Sequence, residues 1–525
     1  MTDLTSIETK VASSSNGLTE AKRELIPRSF SIFLDSAVTA TGRGTFYNSR
    51  KEQEAAVESA HHDLFEVDRD IYTAALLLPG VTDFSRQIGV RRLLQAGSRT
   101  DIGLIPGEYE LVLVRRLIRE LPVQRMLKLF GMLRSERINN SRTRRLILSE
   151  LLDSDHLEFW TVKYRMKLRV ALTHAWGRRT TSILRCVLAK PVTCRSAKEL
   201  RILHQNIRRF VNADRVVVVE QCVSFILGEE STVTLDRLVA YRDAKTDFDR
   251  GAVLPTETME GLRSRFHRER TSADVLRLTK SQLTSGQKIA IQRKAAEVGV
   301  KVAFEPSHYD AVQLYTYAYE MGMSDLIREA LSKKAKTVAS RLPFRFDRVG
   351  ILIDSSFSMI GHGSQARRPI ATSLALRDIL IATAVDADVL TSSGSRSAML
   401  ELIQPMGDTS LAQGLVRLLK SDPDAVFVLS DGYENAPAGR FSQVVSAVRR
   451  MDVKTPIYQF APVLAAESRG VRNLSESVVA MPVSKPDSIG LGLLKTLMES
   501  NVDAGVEVLF GIANVAGNHS AIAIS

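Results

Sequence analysis

Cysteine is scarce in this chain: Cys186, Cys194 and Cys222 are the three among 525 residues. An odd number, with no Cys/His partners at zinc-ligand spacing, excludes a disulfide framework and a structural zinc module and points to a reducing compartment. Long apolar runs are missing as well. No stretch of about 18 apolar residues occurs, so no membrane-spanning helix is expected. The segment Met1–Glu20 carries Asp3, Glu8 and a serine-rich stretch where a signal peptide would need a basic start and an apolar run. It reads as the loose tail of a cytoplasmic protein, with no membrane among its partners.

What is present describes a globular chain. Hydrophobic residues at 44%, charged residues at 25%, and 30 Gly with 16 Pro exclude a wholly disordered, collagen-like or coiled-coil protein. The length exceeds what one compact core supports, so two or more domains are expected. The net charge of +12 is unevenly spread. Residues 346–525 carry a net −3 and residues 1–345 a net +15. A basic region suggests a polyanion partner, most often nucleic acid, because each phosphate neutralised releases counterions; a well-solvated surface is the alternative.

From about Asp68 to Ser340 the pattern is helical. Tyr109–Leu121, Val123–Arg134, Arg144–Leu152 and Phe159–His174 place Leu, Val, Ile and Met at spacings of three and four, with short polar breaks between them. Such helices suggest stacked pairs, as in a solenoid. After Arg348 the pattern changes. Val349–Ile353, Ala387–Leu390, Ala425–Leu429, Pro456–Phe460 and Ser477–Met481 read as strands, with helices expected at Pro369–Ala384, Leu411–Leu419 and Phe441–Arg450. This predicts a multidomain protein: all-α helical repeats followed by a doubly wound α/β domain. The expected divisions are a flexible tail over 1–25, a helical module over 26–345 and the α/β domain over 346–525.

In a doubly wound sheet, ligands bind at the carboxyl edge of the strands. The strand Val349–Ile353 runs into Asp354-Ser355-Ser356-Phe357-Ser358, a D-x-S-x-S pattern. Gly407-Asp408-Thr409 precedes a helix, and Ala425–Leu429 runs into Ser430-Asp431-Gly432. Two carboxylates and three hydroxyls make a hard oxygen set suited to Mg²⁺ or Mn²⁺. The alternative is that Asp354 and Asp431 cap helix starts. No nucleophile–base pair accompanies the set: His362 is the histidine close in sequence, and no G-x-S-x-G elbow occurs. Gly361-His362-Gly363 lacks the third glycine of a dinucleotide loop. A noncatalytic protein is expected.

The basic region carries clustered cations at Arg115, Arg116 and Arg119, and at Arg142, Arg144 and Arg145. The segment Trp160–Arg169 is denser. On a straight helix Lys163, Lys167 and Val170 share one face and Arg165 and Arg169 another, with Tyr164 between as a stacking ring. His174, Trp176, Arg178 and Arg179 continue the theme. Interleaved cations and aromatics suggest RNA contact; a solvated basic face with core aromatics is the alternative.

The D-x-S-x-S set with Thr409 and Asp431 resembles the von Willebrand factor A domain and its metal-ion-dependent adhesion site. That resemblance implies that Ser356 and Ser358 ligate a divalent ion, with Thr409 as a further ligand, and that Asp354 and Asp431 act through bound water. A coordination position would stay open for a partner's carboxylate or for water. A basic helical region followed by such a domain resembles the Ro autoantigen family, whose helical part is the TROVE module. Gly42–Asn48, Val162-Lys163-Tyr164-Arg165, and Phe304–Asp310 continuing through Tyr315-Thr316-Tyr317 to Gly322 carry the likeness. Leu168–Trp176 departs from the family's Gly-Trp-Ser-His-like segment.

The family resemblance implies a ring or horseshoe of HEAT-like repeats closed by the A domain. It implies binding of small noncoding Y-like RNAs and of 3′ ends of misfolded RNAs, with an exoribonuclease as a protein partner. Arg115, Arg116, Arg142, Lys163, Tyr164, Arg165, Lys167, Arg169, His174 and Arg178 are the candidate RNA contacts. Asp354, Ser356, Ser358, Thr409 and Asp431 are the candidate metal site, with Mg²⁺ the expected ion. The competing expectation is a metal-dependent protein-interaction adaptor, such as a partner of an AAA+ ATPase.

Overall fold

A computed structural model describes residues 18–40, 49–98, 107–231, 233–342, 345–361, 366–462, 471–483 and 489–518. The run Gly42–Asn48, most of the expected tail, and His362 with Gly363 lie outside these residues. Two compact units divide the described chain. One takes residues up to 89, 107–117 and 305 onward, and the other takes 90–98 and 118–304. No helix among the described residues is long and apolar enough to cross a membrane.

The first unit is built around a parallel sheet of five strands: β1 (Phe346–Ile353), β2 (Ala384–Thr391), β3 (Ala425–Leu429), β4 (Ile457–Ala461) and β5 (Val479–Pro482), in the order β2-β1-β3-β4-β5. Every pairing is parallel. The uniformly buried, apolar β3 is what a central parallel strand requires, since both of its faces are covered. Leu352, Val426 and Val428 pack with Leu415 and Leu418 of the helix Ala412–Leu419 and with Phe441 and Val445 of Arg440–Arg450. Gly414 permits the close approach: a Cβ there would fall 2.6 Å from Leu352 Cδ1. The order runs from β1 to β2 in one direction and from β1 through β3 to β5 in the other. The direction of winding therefore reverses at the β1/β3 boundary, where the carboxyl edge opens into a crevice.

The sheet unit reaches well upstream of the expected cut at Phe346. Helices Glu20–Thr39, Arg50–Val67, Arg69–Ala75, Ala311–Met321 and Asp325–Arg341 belong to it. Residues 20–25, expected in a loose tail, open the helix Glu20–Thr39, whose first turn is capped by the Thr19 hydroxyl. That helix packs against β5 and the helix Ile489–Ser500. Tyr315 donates a hydrogen bond to Asp378, and the fully buried Arg377 bonds Tyr315 Oη at 3.0 Å and Asp378 Oδ1 at 2.9 Å. Such helices carry the same periodicity as the rest of the helical region, so periodicity alone assigns them to neither core.

The second unit is helical. Its helices include Val123–Ser135, Ser141–Leu152, Leu157–Trp176, Arg178–Leu188, Val216–Leu227 and Thr256–Phe266. Asn140 caps Ser141–Leu152 by accepting from the Thr143 amide. Val162, Phe225, Leu238, Phe248, Leu254, Met259 and Leu262 form one apolar cluster within it. Leu157–Trp176 is bent at Tyr164, whose φ of −125° and ψ of 24° leave helical geometry.

Candidate functional site

The parallel register places Ile353 opposite Leu429, so the chain leaves β1 and β3 side by side. Asp354 N–H still donates to Leu429 O at 2.9 Å, and the next side chains converge at the switch point. Asp354 Oδ1 accepts from the Ser356 amide at 2.9 Å and Oδ2 from the Ser430 hydroxyl at 2.8 Å. Ser356 Oγ and Ser358 Oγ lie 3.0 Å apart. Asp431 Oδ1 accepts from the Tyr433 amide at 3.1 Å. That local turn requires Gly432 at φ +88°, with Arg472 O only 2.3 Å from where a Cβ would be.

The Thr409 loop is pinned to the same edge. Its amide donates to Asn435 Oδ1 at 2.8 Å, its carbonyl accepts from Ala436 N, and Gly407 O accepts from Phe357 N at 3.2 Å. Asp354, Ser356, Thr409 and Asp431 are all buried, and Ser358 is half-buried. The structure thus places all five predicted metal residues at one sheet edge. Neither acid caps an α-helix: the helices that follow start after Arg367 and Gly439.

Both oxygens of Asp354 are held by neutral donors. Burial, and next the charge of Asp431, push its carboxyl up to about 7. Two buried acids beside converging hydroxyls form a set that a hard divalent cation would complete. Among the described residues no group of three or more His, Cys, Asp or Glu gathers, so any ion held here would rely on hydroxyl oxygens together with the two carboxylates. Ser430 is the residue that motif reasoning passed over. It adjoins Asp431 in sequence, but only the β1/β3 register shows that its hydroxyl serves Asp354.

The candidate RNA residues differ in exposure and in partners. Lys163 has a side chain only 5% exposed, 3.2 Å from Glu257 and over the rings of Phe159 and Tyr164. Arg165 pairs with Glu230 and lies 4.2 Å from the Phe225 ring centroid. Arg142 donates to Gly97 O at 3.1 Å, and His174 Nε2 donates to Ile138 O at 3.0 Å. Tyr164 Oη accepts from Gln124 at 3.2 Å. Although the helix bends at Tyr164, the Lys163 and Lys167 ammonium groups both lie over the Tyr164 ring, 5.6 and 6.0 Å from its centroid. Lys167, Arg169 and Arg178 are exposed. Arg115 and Arg116 are half-buried and belong to the sheet unit. No protein-family model matches the chain, and no curated protein matches it.

Proposed function

We propose that the chain is a noncatalytic RNA-binding protein of Ro type. On this reading it binds small structured noncoding, Y-like RNAs and 3′ ends of misfolded RNAs, in RNA quality control or as the adaptor of an exoribonuclease. The observation that carries the reading is where the charge lies. Residues 118–304 hold 36 Lys and Arg against 20 Asp and Glu, a net +16, and the remainder of the chain is at −4. Exposed Lys167, Arg169 and Arg178 fall within that stretch, as do exposed Arg144, Arg145 and Arg179. Cations spaced along helices suit a phosphate backbone.

The sheet unit, read as a von Willebrand A-like domain, supplies a second site. Ser356 and Ser358, with Thr409, would hold Mg²⁺, and Asp354 and Asp431 would act through water. The ion would supply positive charge that offsets the two buried acids and a position for an acidic group. A second reading, a metal-dependent protein-interaction adaptor, is favoured by one feature: Phe357, between the two serines, is 62% exposed beside this site. Titrating the full chain with a labelled stem-loop RNA at several salt concentrations tests the first reading. Log affinity should fall with log salt by about 0.7–0.9 per phosphate contacted. Absence of binding at low salt would overturn it in favour of the adaptor.

A further inference from the structure

A second patch in the helical unit combines exposed arginine with an exposed aromatic ring. The last turn of the helix Thr256–Phe266 and the residues after it read Arg263-Ser264-Arg265-Phe266-His267-Arg268-Glu269-Arg270, four arginines against one acid. Phe266 is 42% exposed, and the Arg265 guanidinium lies 5.2 Å from its ring centroid. Arg265, Arg268 and Arg270 are exposed. Of the nearby acids, Glu260 pairs with Arg263, Asp274 with Arg277 and the Thr271 cap, and Glu269 Oε1 lies 3.8 Å from His267 Nδ1. Among the described residues no ion pair involves Arg265, Arg268 or Arg270.

Several contacts hold the turn. His267 is buried, with Nε2 donating to Ala244 O at 2.8 Å and its ring edge-on to Phe248. Arg263 Nη1 donates to Arg270 O at 3.0 Å, and the Arg270 guanidinium sits 5.1 Å from the Phe248 centroid. Cations at a helix C-terminus are favoured by the helix dipole, which accounts for Arg263 and Arg265. It does not account for Arg268 and Arg270, beyond the helix end, or for an exposed phenylalanine fixed among them.

We infer that Phe266, Arg265, Arg268 and Arg270 form a contact site for single-stranded RNA. An unpaired base stacks on Phe266 beside the Arg265 guanidinium, and Arg268 and Arg270 take adjacent phosphates. A lone exposed ring offers little to a lipid interior, but one ring among guanidinium groups matches one base in a charged backbone. The inference rests on the RNA-binding reading but on residues separate from Lys167, Arg169 and Arg178.

The test is an anisotropy titration of the full chain with a labelled 12-nucleotide oligouridine and, separately, a blunt duplex RNA and phosphatidylserine vesicles. Phe266→Ala should weaken oligouridine binding about tenfold and duplex binding far less, with Phe266→Trp restoring affinity. Arg268→Ala with Arg270→Ala should lower the salt slope by about 1.4. Unchanged oligouridine binding in these variants, or no oligouridine binding by the wild type, overturns the site. So does a Phe266 dependence confined to vesicles. Loss of stem-loop binding in a Lys167, Arg169 and Arg178 alanine variant, with Phe266→Ala neutral throughout, would leave the broader reading standing and sink this one.

Discussion

Lys495 Nζ lies 2.9 Å from Asp35 Oδ1 and 3.1 Å from Oδ2, although 460 residues separate the two in the chain. Both are buried, and Asp35 Oδ2 also accepts from Val471 N at 3.3 Å. The pair ties the helix Glu20–Thr39 to Ile489–Ser500. Burial pushes the Asp35 carboxyl upward against the opposing pull of Lys495. Asp35→Ala would leave an ammonium buried without its counter-charge, so it should destabilise the fold by about 3–5 kcal/mol. Replacing both residues by apolar ones of similar size should cost far less. Urea unfolding at matched m-value checks this; equal losses in the single and double variants would contradict it.

Strands were more legible than their surroundings. The run Ala425–Leu429 stands in the sheet as read, because a central parallel strand must be apolar on both faces. β1 begins three residues before the expected Val349, since Asp347 and Arg348 lie at its exposed end, where polar side chains cost nothing. The acids and hydroxyls of the sheet edge were legible because each follows a strand. Ser430 was not, because its partner Asp354 is fixed by register between strands 76 residues apart. The difference in exposure between Lys163 and Lys167 was hidden as well, because Lys163 is paired with Glu257, far along the chain. The docking of Glu20–Thr39 against β5 left no local trace, since its buried pair spans nearly the whole chain.

Metal dependence should reside in Asp354. Asp354→Ala is expected to abolish thermal stabilisation by Mg²⁺ or Mn²⁺, which in the wild type grows with metal concentration over its Kd. Metal-free stability should change little or rise, since one of two facing acids is gone. Full metal stabilisation in the variant would contradict the oxygen-cage reading.

The same acid sets a pH dependence. In EDTA, native Asp354 keeps a proton up to about 7, whereas the unfolded chain releases it near the ordinary carboxylate value. The native state then binds more protons, so stability falls as pH rises through that window. At about 1.4 kcal/mol per unit, a few kcal/mol should be lost between pH 5 and pH 7.5. Asp354→Asn should flatten the profile. An unchanged slope in that variant would place the titration elsewhere.

Lys163 and Lys167, four residues apart, should behave differently. Lys163→Ala removes a largely covered side chain from Glu257 and two rings, so it should lower Tm and leave the salt slope of RNA binding unchanged. Lys167→Ala should leave Tm near wild type and lower the slope by about 0.7–0.9. Thermal melts alongside salt titrations separate the two, and the reverse assignment would contradict the difference in exposure between them.

The most direct measurement is the salt dependence of stem-loop RNA affinity for the wild type and for Lys167→Ala/Arg169→Ala/Arg178→Ala, with Asp354→Ala as control. The account predicts a steep negative slope for wild type and for the control, and a slope shallower by about 2–3 in the triple variant with its fold intact by circular dichroism. Identical slopes in wild type and triple variant, or loss of RNA affinity in folded Asp354→Ala alone, would contradict it.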